Sequence, residues 1–266
     1  MSQQAPLGAY FSGELLYGDD FTSDQIVAWH EEERRAYFEL YGAEDYPYHA
    51  LNYRHAYRRL PRRVFAHCLG FGCGRGDELL PIVSRVKRIT AVEPAEECWG
   101  SSIGSVPCEY QKPDPFGDLD LPDMSIDLVT CFGVLHHIPN VSHVLSELFR
   151  VCSPGAYVLV REPTISMGDW SRPRPGVTRN ERGLPANLFL RMLDAAGFRI
   201  EHATHCMAPV FPAIGVRLHY PVFNSPALVI LDQILSTATR WNYSYHRVKT
   251  LKKLAPRALF AVCRKP

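Results

Sequence analysis

The sequence predicts an α/β fold, a mainly parallel sheet flanked by helices, with a helical cap ahead of it. Three observations predict it. From Arg63 onward, short β-type runs alternate with stretches of helical period, the pattern of strand–helix–strand units. A glycine-rich turn follows the first of those runs. The chain has 266 residues, 46% hydrophobic and 21% charged, which suffices for one α/β domain of about 200 residues with a decoration.

Residues 1–62 are rich in Tyr, Glu and Arg, and their apolar residues are too few to bury a core alone. Thr22 with Gln25 has the spacing of a capping box and opens a helix through Trp29 and Arg34 towards Tyr41, with Gly42 as its stop. A second helical stretch is expected over 49–60, ended by Pro61. The sheet-forming part then spans 63–266. A strand over 64–71 leads through the glycines into a helix starting near Asp77, with Pro81 in its first turns, where a missing N–H costs least. Strands follow over 89–92, 108–112 and 126–132, with a helix start over 94–99 between the first two. Val141, Val144, Leu145, Leu148 and Phe149 place one apolar face on a helix, ended by Pro154-Gly155. A fifth strand is expected over 157–160, and an amphipathic helix over 185–196 with Gly197 as its C′ residue. The sixth and seventh strands fall over 198–204 and 258–263, separated by an insertion, 207–257, that carries one helix over 227–241.

The formal net charge of +1 offers no global basic field for a nucleic-acid backbone. No run approaches the roughly 20 apolar residues of a membrane span, and residues 1–8 carry neither a basic run nor an apolar core of a signal peptide. The eight cysteines include no Cys-x-x-Cys, and Cys68, Cys131 and Cys263 lie in apolar runs. Reduced cysteines, a cytoplasmic location and no metal site are therefore expected.

Chemistry concentrates in four places. Gly70-Phe71-Gly72-Cys73-Gly74-Arg75-Gly76-Asp77 is a strand-to-helix turn whose glycines let backbone approach a ligand. Its spacing, Gly-x-Gly-x-Gly, differs from the Gly-x-Gly-x-x-Gly of nicotinamide sites. Glu93 closes the second strand about 20 residues on, where a carboxylate can accept both ribose hydroxyls of a nucleoside, or else cap a helix before Pro94. Leu121-Pro122-Asp123-Met124-Ser125-Ile126-Asp127-Leu128-Val129 leads into the fourth strand. Val134-Leu135-His136-His137-Ile138-Pro139 and Glu147-Leu148-Phe149-Arg150-Val151-Cys152-Ser153-Pro154-Gly155 follow it.

In order and separation these segments resemble the motifs of class I S-adenosylmethionine-dependent methyltransferases, over roughly residues 60–206 plus the last strand. The resemblance implies a Rossmann-like, seven-stranded sheet and S-adenosyl-L-methionine as cofactor. It also implies roles. Gly70, Phe71, Gly72, Gly74 and Gly76 would wrap the methionine part, and Glu93 with Pro94 would hold the ribose. Asp114, with Asp118 as rival, would accept from the adenine amino group. Cys131, through its carbonyl, and Phe132 would line the floor. One departure stands out: Gly70 occupies the place of the family's usual acid.

Methyl transfer from a sulfonium needs in-line approach, exclusion of water and removal of the acceptor's proton. A base titrating near neutrality suits a hydroxyl, and His136, His137 and Glu162 lie at neighbouring strand ends, with His137 slightly preferred. The expected reaction is O-methylation of a small molecule of sugar or secondary-metabolite type. Arg54, Arg58, Arg59, Arg62 and Arg63 form either a solvated charged face or a site for a phosphate-bearing acceptor. The cap's tyrosines form either a lid or ordinary packing. RNA methylation, and a methyltransferase-like protein that binds the nucleoside without catalysis, are the competing readings. Oligomeric state is not read from the sequence.

Overall fold

A computed structural model describes the chain over residues 6–40, 46–170, 172, 174 and 176–266. Its centre is a sheet of eight strands: β1 (Cys68–Phe71), β2 (Ile89–Val92), β3 (Ser102–Ile103), β4 (Val106–Gln111), β5 (Ile126–Phe132), β6 (Cys152–Pro163), β7 (Arg199–Cys206) and β8 (Ala258–Arg264). Their spatial order is β3-β4-β2-β1-β5-β6-β8-β7. The strands from β4 to β6 run parallel, and β8 lies antiparallel between β6 and β7. Strand order therefore reverses at β1, where ligands of such sheets sit beyond the carboxyl ends.

The eighth strand is β3, a two-residue arm paired antiparallel to β4 around Gly104; two residues are too few to show a period. β2 and β5 match the expected spans. β1 starts four residues later than expected, because Phe65 makes only an isolated bridge to Val86.

Helices α1 (Leu7–Ser12), α2 (Ser23–Leu40) and α3 (His49–His55) precede the sheet, followed by a 3-10 turn at Tyr57–Arg59. Half of the capping box forms at the start of α2: Gln25 Oε1 accepts from the Thr22 N–H at 2.9 Å, and from the Thr22 hydroxyl at 3.1 Å. Its expected stop at Tyr41 and Gly42 lies outside the described residues. The helix expected from Asp77 is instead a 3-10 segment, Asp77–Arg85. Pro81 is the residue whose N–H would make the first α-type bond back to Asp77, so its ring removes that bond and the tighter winding wins. Likewise 94–99 holds only a 3-10 turn at Glu96–Cys98.

Helices α4 (Val141–Val151) and α5 (Ala186–Ala195) cover one face of the sheet, with Val144, Leu145, Leu148, Phe189 and Leu193 fully buried. α4 receives its N-terminal cap from afar, as Asp19 Oδ1 accepts from the Ser142 N–H at 2.7 Å. The other face is covered by α3, the 77–85 segment, and two helices of the insertion, α6 (Val210–Leu218) and α7 (Pro226–Thr239). α6 was not expected, since only one helix was read in the insertion. Pro209 precedes the helix and Pro212 sits in its first turn, where no N–H is needed. Asp232 on α7 is buried and accepts from the Met207 and Ala208 N–H groups at 3.0 and 2.7 Å, fastening α7 to the end of β7. No described helix is long and apolar enough to cross a membrane.

Candidate functional site

The carboxyl ends of β1, β2, β5 and β6 gather the expected residues into two adjoining groups. In the first, the glycine turn leaves β1 and Gly74 takes φ +55°, with open space where a side chain would stand. Here backbone meets whatever lies above the sheet. Glu93, 3% exposed at the end of β2, reaches into this turn. Its Oε2 accepts from the Gly74 N–H at 2.8 Å and its Oε1 from the Ala95 N–H at 3.0 Å. Burial raises its pKa, and the two N–H bonds act in the opposite direction. Each carboxylate oxygen keeps a further acceptor site, so two ribose hydroxyls can still be accepted. Pro94 is exposed beside it.

Gly70 is explained by its neighbours. A Cβ there would stand 2.7 Å from Cys73 Sγ and 3.4 Å from Leu79 Cδ1. The Cys73 thiol thus fills the direction in which an acid at 70 would project. A second buried carboxyl stands nearby: Glu78, 2% exposed, whose Oε1 has no hydrogen-bond partner and whose pKa burial pushes up to about 7. The sequence reading missed both, since nothing in composition marks a 3-10 segment that turns a carboxyl inward. It also missed Trp99 and Tyr110, stacked at 5.9 Å on the β2–β4 side. The Tyr110 hydroxyl donates to the Gly74 carbonyl at 3.1 Å, and the Trp99 indole to the Glu93 carbonyl at 3.1 Å. Of the loop acids, Asp118 Oδ1 pairs with His143 Nε2 of α4 at 2.7 Å. Asp114 caps its own turn at the Phe116 N–H, 2.7 Å. Cys131 and Phe132 bury their side chains in opposite layers of the sheet, which leaves backbone as their contribution to a floor.

The second group forms where β5 ends at Gly133 and the chain winds into a 3-10 turn, Leu135–His137. Glu162, fully buried at the end of β6, holds this turn: Oε1 accepts from the Val134 and Leu135 N–H groups, both at 2.9 Å, and Oε2 pairs with His136 Nδ1 at 2.8 Å. The sequence reading preferred His137, but the turn presents His136 to Glu162. His137 Nδ1 pairs instead with Glu33 of α2 at 3.1 Å. His136 Nε2 lies 3.6 Å from Glu181 Oε1. Burial and the neighbouring His137 lower the pKa of His136, while Glu162 and Glu181 oppose them. The imidazole is therefore neutral at pH 7, with Nδ1–H donated to Glu162 and Nε2 carrying the lone pair.

Glu33, Glu181 and two arginines were not legible as site residues. Arg182, fully buried, donates to the carbonyls of Tyr17, Leu135, His136, Ile138 and Pro139 at 2.8–3.3 Å. Arg161 is 6% exposed on β6 and donates to Asn52 Oδ1 at 3.1 Å, with its guanidinium 4.0 Å from the Tyr48 ring centroid. Among the described residues no carboxylate pairs with it. A Cβ on Gly133 would stand 3.8 Å from Arg161 Nη2 and 3.7 Å from His136 Cε1, so both groups flank one small space past β5.

The cluster of Arg54 to Arg63 lies elsewhere. Arg58, Arg59, Arg62 and Arg63 are exposed, and Arg63 points at the Gly155 carbonyl at the opposite end of β6. Of the tyrosines, Tyr10 and Tyr57 are core residues and Tyr53 faces solvent. Tyr46 and Tyr48 flank the Arg161–Asn52 pair.

The family model for a methyltransferase domain matches residues 46–212. A Mycolicibacterium smegmatis protein named "Probable S-adenosylmethionine-dependent methyltransferase" is 30% identical over 150 residues, covering 54% of this chain and 57% of that protein. A Mycobacterium tuberculosis protein with the same description is 27% identical over 147 residues, covering 53% and 52%. The matches span about half the length of these relatives. Among solved structures, an S-adenosylmethionine-dependent methyltransferase from Mesorhizobium loti superposes with a TM-score of 0.54 at 18% identity, over 80% of this chain and 97% of that one. A Haemonchus contortus phosphoethanolamine N-methyltransferase, in complex with phosphomonomethylethanolamine and S-adenosylhomocysteine, gives 0.59 at 14% identity, over 95% and 61%. At these identities the structural likeness is one of fold.

Proposed function

Because the chain belongs to the class I S-adenosylmethionine-dependent methyltransferases, we propose that it methylates a hydroxyl of a small acceptor bearing an anionic group, with His136 as base. The observation that carries this reading is the shared space past Gly133, flanked by His136 on one side and the unpaired Arg161 guanidinium on the other. S-adenosylmethionine supplies a methyl group already activated on a sulfonium. The glycine turn around Gly74 would wrap its methionine part, Glu93 would hold its ribose and Asp114 its adenine, and the backbone of Cys131 would line the floor.

His136 Nε2 then takes the acceptor's hydroxyl proton. The imidazolium so formed sits between Glu162 and Glu181, whose charges stabilise it in a buried setting. The fixed Nδ1 bond to Glu162 keeps the tautomer that offers Nε2. Arg161 fixes the acceptor through its anionic group, since a buried guanidinium with free donors gains most from a carboxylate or phosphate.

Two experiments test this reading. Glu93→Ala is expected to weaken S-adenosylhomocysteine binding, read by calorimetry, by about 100-fold, the worth of two hydroxyl bonds to a charged acceptor. Glu93→Gln, which keeps one acceptor oxygen for the Gly74 N–H, is expected to lose about tenfold. Wild-type protein that fails to bind S-adenosylhomocysteine at millimolar concentration ends the proposal. In the second experiment, benzoate at millimolar concentration is expected to raise the Tm of the S-adenosylhomocysteine-loaded protein by roughly 3 °C. Chloride at equal ionic strength should not, and Arg161→Gln should remove the effect. An Arg161→Gln protein that loses S-adenosylhomocysteine binding would instead assign the guanidinium to the cofactor's own carboxylate.

A further inference from the structure

The insertion over 207–257 has a composition that methyl transfer does not use. Its 51 residues hold seven Lys and Arg against one acidic residue, Asp232. Asp232 is buried, with its carboxylate committed to the Met207 and Ala208 N–H groups. Arg217, Arg240, Lys249, Lys253 and Arg257 are exposed, and among the described residues none of them forms an ion pair.

The same segment carries thirteen of the twenty-one exposed large hydrophobic side chains of the described residues. Val216 is 80% exposed, Val248 77%, Trp241 76% and Ile234 62%. Apart from Val248 and Tyr220, which lie in connecting loops, they lie on elements that touch in series: α6 and α7 both meet the turn at Val222–Asn224, α7 continues into the turn at Arg240–Asn242, and that turn meets the 3-10 segment Thr250–Leu254. In that last segment Leu251 and Leu254 flank Lys252 and Lys253. An ordinary protein surface scatters such side chains singly. Here they are concentrated, mixed with cations and nearly free of exposed acids.

We propose that the insertion is a docking surface for an anionic lipid bilayer, with Trp241, Val248, Leu251 and Leu254 entering the headgroup region and the lysines and arginines meeting lipid charge. Apolar side chains supply burial, and each cation near such a surface adds roughly fivefold in affinity. Charge argues against a second copy of the chain as the occupant, since two such faces would bring their unpaired cations together. α7 also packs on α3, where Arg54 donates to Gln233 at 2.8 Å and Asn52 holds Arg161. The docking surface is therefore linked through α7 to the helix that walls the acceptor space. This inference stands apart from the proposed chemistry.

The test is co-sedimentation of the full chain with phosphatidylcholine vesicles and with vesicles containing about one third phosphatidylglycerol. Binding to the anionic vesicles is expected to be at least tenfold stronger, to weaken as salt rises, and to shift tryptophan emission to the blue. Lys252→Glu with Lys253→Glu should weaken it by at least tenfold, and Leu251→Ser with Leu254→Ser comparably. Lys253, Leu251 and Leu254 are exposed and Lys252 is half-buried, and none of them belongs to the groups at the carboxyl ends of the strands, so both variants should bind S-adenosylhomocysteine as the wild type does. Equal binding to the two vesicle types, or no binding to either, overturns the proposal. So does a concentration-dependent dimer abolished by the same substitutions.

Discussion

Replacing His136 with Asn is expected to lower kcat by about 10² to 10⁴-fold, the range over which a positioned general base contributes. S-adenosylhomocysteine binding should stay within about twofold, because the His136 ring belongs to the group past Gly133, beside the glycine turn proposed to hold the nucleoside. Glu162→Gln is expected to cost nearly as much, for a different reason. Glutamine still accepts from the Val134 and Leu135 N–H groups through Oε1, so the turn survives. Its amide N–H would now donate to His136 Nδ1, which places the imidazole proton on Nε2 and removes the lone pair that does the work. The pH dependence has a definite sign. Burial and His137 lower the His136 pKa below its ordinary 6.5, so the base form is present above that pKa. The rate should fall only as pH drops through a value below 6.5 and should be level through pH 7. A limb centred above pH 7 would remove His136 from the role. His136, His137 and Glu181 also place one ligand atom each within 4.8 Å of one another, near enough to be asked about a metal ion. If His136 is the base, activity survives a chelator. Activity lost to EDTA and restored by a divalent cation would move activation of the hydroxyl to a metal on those three residues.

The sheet was readable because its strands are short apolar runs between glycines and helical periods, and burial of both faces leaves little freedom in where such runs go. Glu93 was readable because a fixed separation from the glycine turn puts it at the next strand's end. What escaped the sequence depended on local winding. One proline turned the 77–85 segment from α to 3-10 and carried Glu78 inward. The turn at Leu135–His137 decided which of two adjacent histidines meets Glu162, a choice that spacing alone leaves open. Glu33, Glu181, Arg161 and Arg182 reach the site from segments more than a hundred residues apart in the case of Glu33 and His137. A lone charged residue carries no period that would reveal such a partner, whether it lies on a helix like Glu33, on a strand like Arg161 or in a loop like Glu181 and Arg182. Gly70 looked like a loss in the sequence and is a packing exchange in the structure, with Cys73 filling the vacated direction.

Arg182→Met should be the most damaging change to stability, about 3–5 kcal/mol, which for a chain of this length lowers Tm by roughly 10 °C. The side chain is fully buried, and its three guanidinium nitrogens serve five carbonyls, joining Tyr17 to the turn over 135–139. Methionine fills much of the volume but takes the side-chain donors from all five carbonyls; those of Leu135, His136 and Pro139 keep a backbone N–H, while those of Tyr17 and Ile138 are stranded, and each stranded buried acceptor costs about 1–3 kcal/mol where water cannot reach it. Water entry and relaxation would recover part of that sum, which sets the lower figure. Arg182→Lys is expected to rescue little, because a single ammonium cannot span carbonyls on both sides of a planar fork. The loss should also reach activity below the melting range. Four of the five carbonyls belong to Leu135, His136, Ile138 and Pro139, the turn that aims the histidines. A displacement of about 1 Å there costs up to about 10²-fold in kcat, with S-adenosylhomocysteine affinity little changed. Thermal denaturation together with kcat measured well below Tm checks both parts. A melting temperature within about 2 °C of wild type would mean that the turn is held by Glu162 and Trp29 alone, through its N–H groups and the His137 carbonyl.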